Sequence, residues 1–228
     1  MKEGDCMGKT KKDEAMLLTR HFKVMDFRAI EPSTDPAGNQ QSRLEGHPAV
    51  YDSMTSIGGW YNEIIERGAF DGCDFEDVLF FVNHDTSKIP LARSRRNNSN
   101  STMQISVDNI GMFVVANLDT ENNQEARQLY SSVDRGDIDG MSFMFRVAED
   151  RWENLDQDVP TRHIVQIAKV FETSAVNWPA YELTDINARD KTALDNARLA
   201  LDSARSQGLD NLETLEIYKL KNKILGGL

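Results

Sequence analysis

The stretch Asp139-Gly-Met-Ser-Phe-Met-Phe-Arg-Val147 sets the pattern from which the rest of the chain can be interpreted. Its large apolar residues recur at every second position: Met141, Phe143, Phe145 and Val147. This period of two predicts a β-strand with one apolar face. Ser142 falls on the other face, shortly after Gly140, where the chain can turn sharply into the strand. A hydroxyl held at the start of a rigid strand is a candidate nucleophile.

Composition narrows the class of protein. A chain of 228 residues fits one substantial domain with appendages. The 26 basic and 37 acidic residues give a net charge of −11, which disfavours nucleic-acid or anionic-membrane partners. Cys6 and Cys73 offer no disulfide framework, which indicates a reducing compartment. Without a signal peptide or an apolar run of roughly 20 residues, the sequence predicts a soluble intracellular protein.

The hydrophobic periodicity predicts a β-rich body followed by helices. Strands are predicted at residues 22–30, 44–51, 78–82, 103–107 (with a hairpin partner from 113) and 163–176. Loops are predicted at 31–38 and 92–101, and a helix at 121–133. His47, which precedes Pro48, is expected at the surface or at a strand edge.

A change in composition near residue 188 divides the chain. An apolar stripe with a period of 3.6 residues begins at Ala193 and predicts a helical tail. This tail either binds a partner or packs on its own domain. We therefore expect a flexible N-terminal tail at 1–20, a compact body at 21–188 and a helical segment at 189–228.

Three short stretches together suggest a catalytic triad. The apolar strand at 78–82 ends in Asn83-His84-Asp85, Ser142 begins another strand, and Glu172 lies near the end of the last. Serine becomes a nucleophile when a base removes its proton, and histidine suits that role because its pKa is near neutrality. A carboxylate on the other ring nitrogen fixes the tautomer. His84, Ser142 and Glu172 are residues of these three types.

Several alternatives remain open from the residues alone. His163 and Glu172 have opposite strand parity, so a regular strand cannot point both at one site. Asp85 follows His84 directly, so it is expected to point away as a turn residue. Cys73 with His84 would make a cysteine protease. A metal site from His84, Asp85 and His163 lacks any recognised ligand spacing, so neither a metal nor another cofactor is expected.

The same stretches resemble the prohead (capsid maturation) proteases of tailed bacteriophages, in order from about Phe22 to Asn187. The matching motifs are Leu44-Glu-Gly-His-Pro-Ala-Val-Tyr51, Glu66-Arg-Gly-Ala-Phe70, Asn83-His84-Asp85 with Ile89-Pro90-Leu91, Gly140-Met-Ser-Phe143, and Glu172-Thr-Ser174 with Pro179-Ala-Tyr181. The resemblance places the catalytic histidine on His84, the nucleophile on Ser142 and the acid on Glu172. Ala92 and Met144 depart from the family pattern, which has a glycine at both positions.

The resemblance also implies a fold and a function. The fold would be α+β, a mainly antiparallel closed β-barrel ringed by helices as in the herpesvirus assemblins, followed by the helical tail. The assemblins use a second histidine as the third member of their catalytic triad, which makes His163 a rival to Glu172. The function would be that of a prohead maturation serine endopeptidase. It would cleave the scaffolding segment of the major capsid protein, and itself, inside the procapsid in the host cytoplasm.

Two questions stay open after the resemblance. The first is the tail at 189–228, which would bind capsid or scaffold and be shed by self-cleavage. The second is whether a homodimer forms, which the resemblance does not decide. The alternative function is a non-catalytic scaffolding module for capsid assembly. Such a module has no reason to keep His84, Ser142 and Glu172 together.

Overall fold

The computed structural model describes residues 17–23, 26–34, 40–177 and 198–208. These residues form a mixed α+β fold in which strands predominate. The strands are β1 (Leu17–Lys23), β2 (Arg28–Thr34), β3 (Gln40–Val50), β4 (Thr55–Ile57), β5 (Tyr61–Ile65), β6 (Asp77–Val82), β7 (Ala92–Arg95), β8 (Met103–Val107), β9 (Gly111–Leu118), β10 (Gly140–Glu153) and β11 (Thr161–Val176). Helix α1 spans Gln124–Asp134, and residues 198–208 are also helical.

The strands form two sheets. In the seven-stranded sheet the order is β1-β10-β11-β5-β4, with β6 pairing to both β11 and β7. The four-stranded sheet has the order β2-β3-β9-β8. Strand β10 is antiparallel to β1 and β11, whereas β5 and β6 run parallel to β11 near its two ends. The long β10–β11 pair is therefore the framework to which β1 and β6 attach.

The expectation of a closed barrel is corrected by this topology, because neither sheet closes on itself within the described residues. The edges formed by β7 and β8 approach each other without a strand ladder. Side-chain hydroxyls meet the backbone there instead: the Arg93 N–H donates to Thr102 Oγ1 at 2.9 Å, and the Arg95 N–H to Ser101 Oγ at 2.9 Å. These hydroxyls occupy the donors of β7 that a closing strand would need.

A shared apolar core joins the two sheets. Phe80, Phe143 and Phe145 from the seven-stranded sheet and Met112 and Val114 from the four-stranded sheet belong to one cluster of buried side chains. The Phe143 and Phe145 rings stack with centroids 4.4 Å apart. The alternation of apolar residues around Phe143 thus corresponds to strand β10, whose apolar face lies in the core.

Helix α1 is capped at its N-terminus and packs through one apolar face. The Asn123 side chain caps it by accepting hydrogen bonds from the backbone N–H groups of Glu125 and Ala126. Its apolar face, Ala126, Leu129 and Val133, is buried. The predicted helix at 121–133 is confirmed with a start three residues later.

The helix at 198–208 lies against the body of the protein. Leu201 is buried with Ile57 and Tyr61, and the Arg205 guanidinium donates to the Gln157 carbonyl at 3.1 Å. The described part of the predicted tail therefore packs on its own chain. The rest of the segment predicted to be helical at 189–228 and the Pro179-Ala-Tyr181 motif lie outside the described residues, as do residues 1–16.

Several predicted boundaries differ from the structure. The single strand predicted at 22–30 is two strands, β1 and β2, in different sheets, and β2 continues into the predicted loop at 31–38. Strand β1 begins at Leu17, so the last four residues of the predicted flexible tail at 1–20 are paired with β10 instead. The predicted loop at 92–101 begins with β7, where Ala92 and Ser94 are buried while Arg93 and Arg95 are not. A high charge content concealed the alternation of this short edge strand.

Candidate active site

Three adjacent strands carry the predicted site residues. Glu172 on β11 lies beside Leu79 on β6, and Ser174 lies beside Phe81. On the other side of β11, Ser142 of β10 is directly opposite Ser174. Neighbouring strands are roughly 4.8 Å apart, so residues from β10, β11 and the end of β6 are within side-chain reach.

The structure brings His84, Ser142 and Glu172 into one hydrogen-bonded chain. His84 Nδ1 contacts Glu172 Oε1, and His84 Nε2 is 2.5 Å from Ser142 Oγ. Glu172 is 2% exposed and Ser142 is fully buried, whereas the His84 side chain retains 13% exposure. A buried carboxylate needs hydrogen-bond partners, and the imidazole supplies one of them to Glu172. The imidazole is thus held between a buried carboxylate and a serine hydroxyl.

A strained turn places the imidazole. Asn83 and His84 have φ values of +52° and +56°, in the left-handed region that costs non-glycine residues about 1–3 kcal/mol each. Backbone hydrogen bonds hold the turn against β11: the Asn83 N–H donates to the Ala175 carbonyl at 2.9 Å, and the Asn177 N–H donates to Asn83 Oδ1 at 3.1 Å. The turn carries the chain back over β11, so the imidazole reaches both Glu172 and Ser142.

Strand β1 covers the serine. The Ser142 hydroxyl donates to the Arg20 backbone carbonyl at 2.7 Å, and β1 pairs with β10 along Leu17–Lys23. One hydroxyl proton therefore has two acceptors at hand, the Arg20 carbonyl and His84 Nε2. With β1 in place, Ser142 has no solvent-exposed surface.

A buried ion pair anchors β1. The Arg20 side chain contacts Glu63 through Nε, and its Nη2 lies 2.8 Å from Glu63 Oε2 and 3.3 Å from the Tyr61 hydroxyl. Arg162 Nη1 approaches the same carboxylate at 3.4 Å. Burial would raise the pKa of Glu63, but the two guanidinium groups offset this and hold it below its ordinary value. Burial likewise opposes charge on Arg20, yet Glu63 and Tyr61 raise the pKa of Arg20.

His163 lies away from this site. Its Nδ1 is 2.9 Å from Glu66 Oε1, and Arg151 approaches the same nitrogen at 3.2 Å. His163 precedes Glu172 by nine residues on β11, which corresponds to roughly 30 Å along a strand. The structure therefore places Glu172, and not His163, beside His84.

Two further candidates have other surroundings. Asp85 accepts hydrogen bonds from the backbone N–H and hydroxyl of Ser87, as expected for a turn residue. Cys73 is partly buried, and burial raises the pKa of its thiol to about 12. Because the thiolate is the reactive form, a thiol with this pKa is a poor nucleophile near neutral pH.

The sequence analysis missed two residues with buried polar contacts. Ser174, fully buried, links Glu172 to the His84 backbone. His47 is 4% exposed, so the surface position, one of its two expected locations, is wrong. Its Nδ1 contacts Asp26, and its Nε2 is 3.1 Å from Asp108 Oδ2. Partners so distant in sequence leave no local signal. Ser174 is the exception, because its position two residues after Glu172 in the motif Glu172-Thr-Ser174 made it a possible site residue.

A serine, a histidine and a buried carboxylate linked in this order form the arrangement that serine hydrolases use. The match to a protein family is consistent with that class. The family model of the caudovirus prohead serine proteases matches residues 27–198, and the chain belongs to this family. Its function is accordingly that of a prohead protease.

Two individual proteins are similar to this chain. The prohead protease of Enterobacteria phage HK97 is 28% identical over 170 residues, which cover 73% of this chain and 68% of the relative. The solved structure of the bacteriophage T4 capsid assembly protease aligns with a TM-score of 0.48 at 12% identity, over 73% of this chain and 100% of that chain. Within the described residues, no helix combines the length and the apolar character needed to cross a bilayer.

Proposed function

We propose that Ser142, His84 and Glu172 are the catalytic triad of this prohead serine protease. The observation that supports the proposal is the continuous contact from Glu172 through the His84 imidazole to Ser142 Oγ. All three groups lie within the part of the chain that the family model matches. Ser142 attacks the scissile carbonyl, His84 moves the proton and Glu172 orients His84.

The chemistry has two halves. In the first, the Ser142 oxygen bonds to the carbonyl carbon while its proton passes to His84 Nε2, and His84 then protonates the departing amine. In the second, His84 takes a proton from a water molecule as the water oxygen bonds to the acyl carbon. The ester bond to Ser142 Oγ then breaks, and His84 returns the proton to that oxygen. Throughout, Glu172 accepts a hydrogen bond from the Nδ1–H group of His84. It also stabilises the imidazolium that forms after each proton transfer.

Access of a peptide to Ser142 requires a change at β1. The hydroxyl proton must be directed to His84, so the bond to the Arg20 carbonyl has to break before attack. A fully buried oxygen also cannot meet a scissile carbonyl. The arrangement with β1 in place is therefore a resting state, and catalysis begins when β1 moves aside.

The proposal extends to substrates and location. The substrates would be the scaffolding segment of the major capsid protein and the chain itself, cut inside the procapsid in the host cytoplasm. The segment at 189–228 would be removed by self-cleavage, and the body at 21–188 would remain as the protease. The name of the family and that of the HK97 relative support a role in the prohead.

Co-expression with the capsid protein of the same phage tests the proposal. The wild-type chain should cut the capsid protein, and Ser142→Ala should not, since triad losses cost about 10⁴- to 10⁶-fold in rate. Ser106→Ala, which alters an exposed serine on β8, is the matched control and should cut normally. Assembly of capsids without any cleavage by the wild type would favour the scaffolding alternative.

A further inference from the structure

The Ser174 hydroxyl joins two parts of the site that the triad alone leaves unconnected. It donates a hydrogen bond to Glu172 Oε2 at 2.7 Å and accepts one from the His84 backbone N–H at 3.2 Å. Ser174 is fully buried on β11, two residues after Glu172 and directly opposite Ser142 in the strand register. One hydroxyl therefore contacts both the acid side chain and the histidine backbone.

The contact with Glu172 divides the carboxylate between two partners. Oε1 faces His84 Nδ1, and Oε2 faces the Ser174 hydroxyl. A carboxylate that is 2% exposed needs donors within the protein to remain charged. With Oε2 fixed by Ser174, the plane of the carboxylate is set so that Oε1 points at the imidazole.

The Ser174 hydroxyl also holds the histidine of the Glu172–His84 pair, through the His84 backbone. His84 has a φ of +56°, so its backbone lies in a region that it leaves readily unless the surroundings hold it. The hydrogen bond from its N–H to Ser174 Oγ fixes that backbone against β11. Rotation of this residue would carry the imidazole away from Ser142.

We infer that Ser174 is a positioning residue of the active site, which aligns Glu172 and His84 with each other through its single hydroxyl. It touches neither the substrate nor the reacting atoms. The inference rests on the proposed function, because it assigns Ser174 a role in the action of His84 on Ser142. Loss of the hydroxyl should lower the rate of the chemical step while leaving the fold and ligand binding in place.

A fluorophosphonate probe tests this without knowledge of the natural cleavage site. Such probes form a covalent bond to an activated serine, and the reaction separates into a binding constant and a maximal inactivation rate. Ser174→Ala should lower the maximal rate of labelling of Ser142 by about 10- to 100-fold at an unchanged binding constant, the effect of losing a hydrogen bond to a charged group. Ser174→Thr, which keeps the hydroxyl, should restore a large part of the rate.

Ser94→Ala is the matched control. Ser94 is also fully buried on a strand of the same sheet, and its hydroxyl has no hydrogen-bond partner among the described residues. Its removal should leave the labelling rate unchanged. If Ser174→Ala fails to fold, Ser174→Cys, a near-isosteric weak donor, should show the same selective loss of maximal rate.

The outcomes separate the inference from the proposed function. Labelling of Ser174→Ala at the wild-type rate, with Ser142 as the modified residue in both, overturns the inference alone. Loss of probe binding with an unchanged maximal rate also overturns it, because a positioning residue acts on the chemical step. A third outcome is that the probe labels Ser142 neither in the wild type nor in Ser94→Ala, even when Glu63→Gln is added to loosen β1. That outcome overturns the proposed triad and the inference with it.

Discussion

The backbone carbonyl of Arg20 accepts a hydrogen bond of 2.7 Å from the Ser142 hydroxyl, across 122 residues of sequence. The side chain of the same residue is held by Glu63 in a buried ion pair. Strand β1 thus meets the nucleophile through its backbone and is fixed in the protein through a side chain. If β1 moves aside before catalysis, as proposed above, the accessibility of Ser142 depends on how firmly this strand is held.

Glu63→Gln should weaken that attachment. The change leaves the buried Arg20 guanidinium without a compensating carboxylate, whereas Arg162 keeps its ion pair with Asp150. Breaking a buried pair typically costs about 3–5 kcal/mol. For a chain of this size each kcal/mol lowers the melting temperature by about 2–4 °C. Calorimetry should therefore show a clear drop, and fluorophosphonate labelling of Ser142 should become faster.

Glu45→Gln is the control for that experiment. Glu45 pairs with Arg28, whose side chain is 63% exposed, and exposed pairs contribute about 0–1 kcal/mol. Its melting temperature and labelling rate should stay near those of the wild type. Equal effects of the two variants would contradict the role assigned to the buried pair.

The contribution of Glu63 to stability should depend on pH. Its pKa in the folded protein is below the ordinary value of 4.5, so the unfolded chain binds a proton more readily than the folded chain does. The contribution is complete above pH 4.5 and is lost as the pH falls through the lowered pKa. Denaturant unfolding of wild type and Glu63→Gln at successive pH values should show the two stabilities converging in acid, and a constant difference would be inconsistent with this linkage.

His163 and His84 should respond differently to the same substitution. His84→Ala removes the base and should abolish cleavage, whereas His163→Ala should keep activity within a few-fold because His163 pairs with Glu66 at the far end of β11. Glu172→Gln, which keeps a hydrogen-bond acceptor beside His84, should be milder than His84→Ala. Cleavage assays on the three variants measure these effects. Equal losses of activity in His84→Ala and His163→Ala would show that Glu172 is not the third member of the triad.

Cys73 should be dispensable. A thiol whose pKa is raised to about 12 by burial is almost entirely protonated near neutral pH. Iodoacetamide should therefore modify Cys73 slowly at pH 8, and Cys73→Ala should process substrate like the wild type. Loss of cleavage in a folded Cys73→Ala would reopen the cysteine protease alternative.

Much of the framework was accessible from the sequence because it is locally encoded. The alternation around Phe143, the apolar run before Asn83 and the helix-forming stretch at 121–133 each act over a few neighbouring residues. The candidate triad followed from residue chemistry joined to motifs in family order. The two together placed His84, Ser142 and Glu172 on or beside three strands, β6, β10 and β11, and in the structure β11 pairs with both of the others.

The remaining features depend on contacts between distant residues. The Arg20–Glu63 pair spans 43 residues, and the acceptor on Arg20 that faces Ser142 is a backbone carbonyl, which any residue possesses. Strand β7 was obscured because its outward residues are arginines, and β1 because its pairing with β10 could not be foreseen from alternation. The separation into two sheets is likewise a property of the assembled edges at β7 and β8.

The central claim is that Ser142 is the nucleophile, and intact mass tests it most directly. Purified wild type and Ser142→Ala would be incubated at neutral pH, alone and with the capsid protein of the same phage, and weighed by mass spectrometry. The account predicts discrete fragments from the wild type and uncut chains from Ser142→Ala. Equal trimming of both proteins would contradict it.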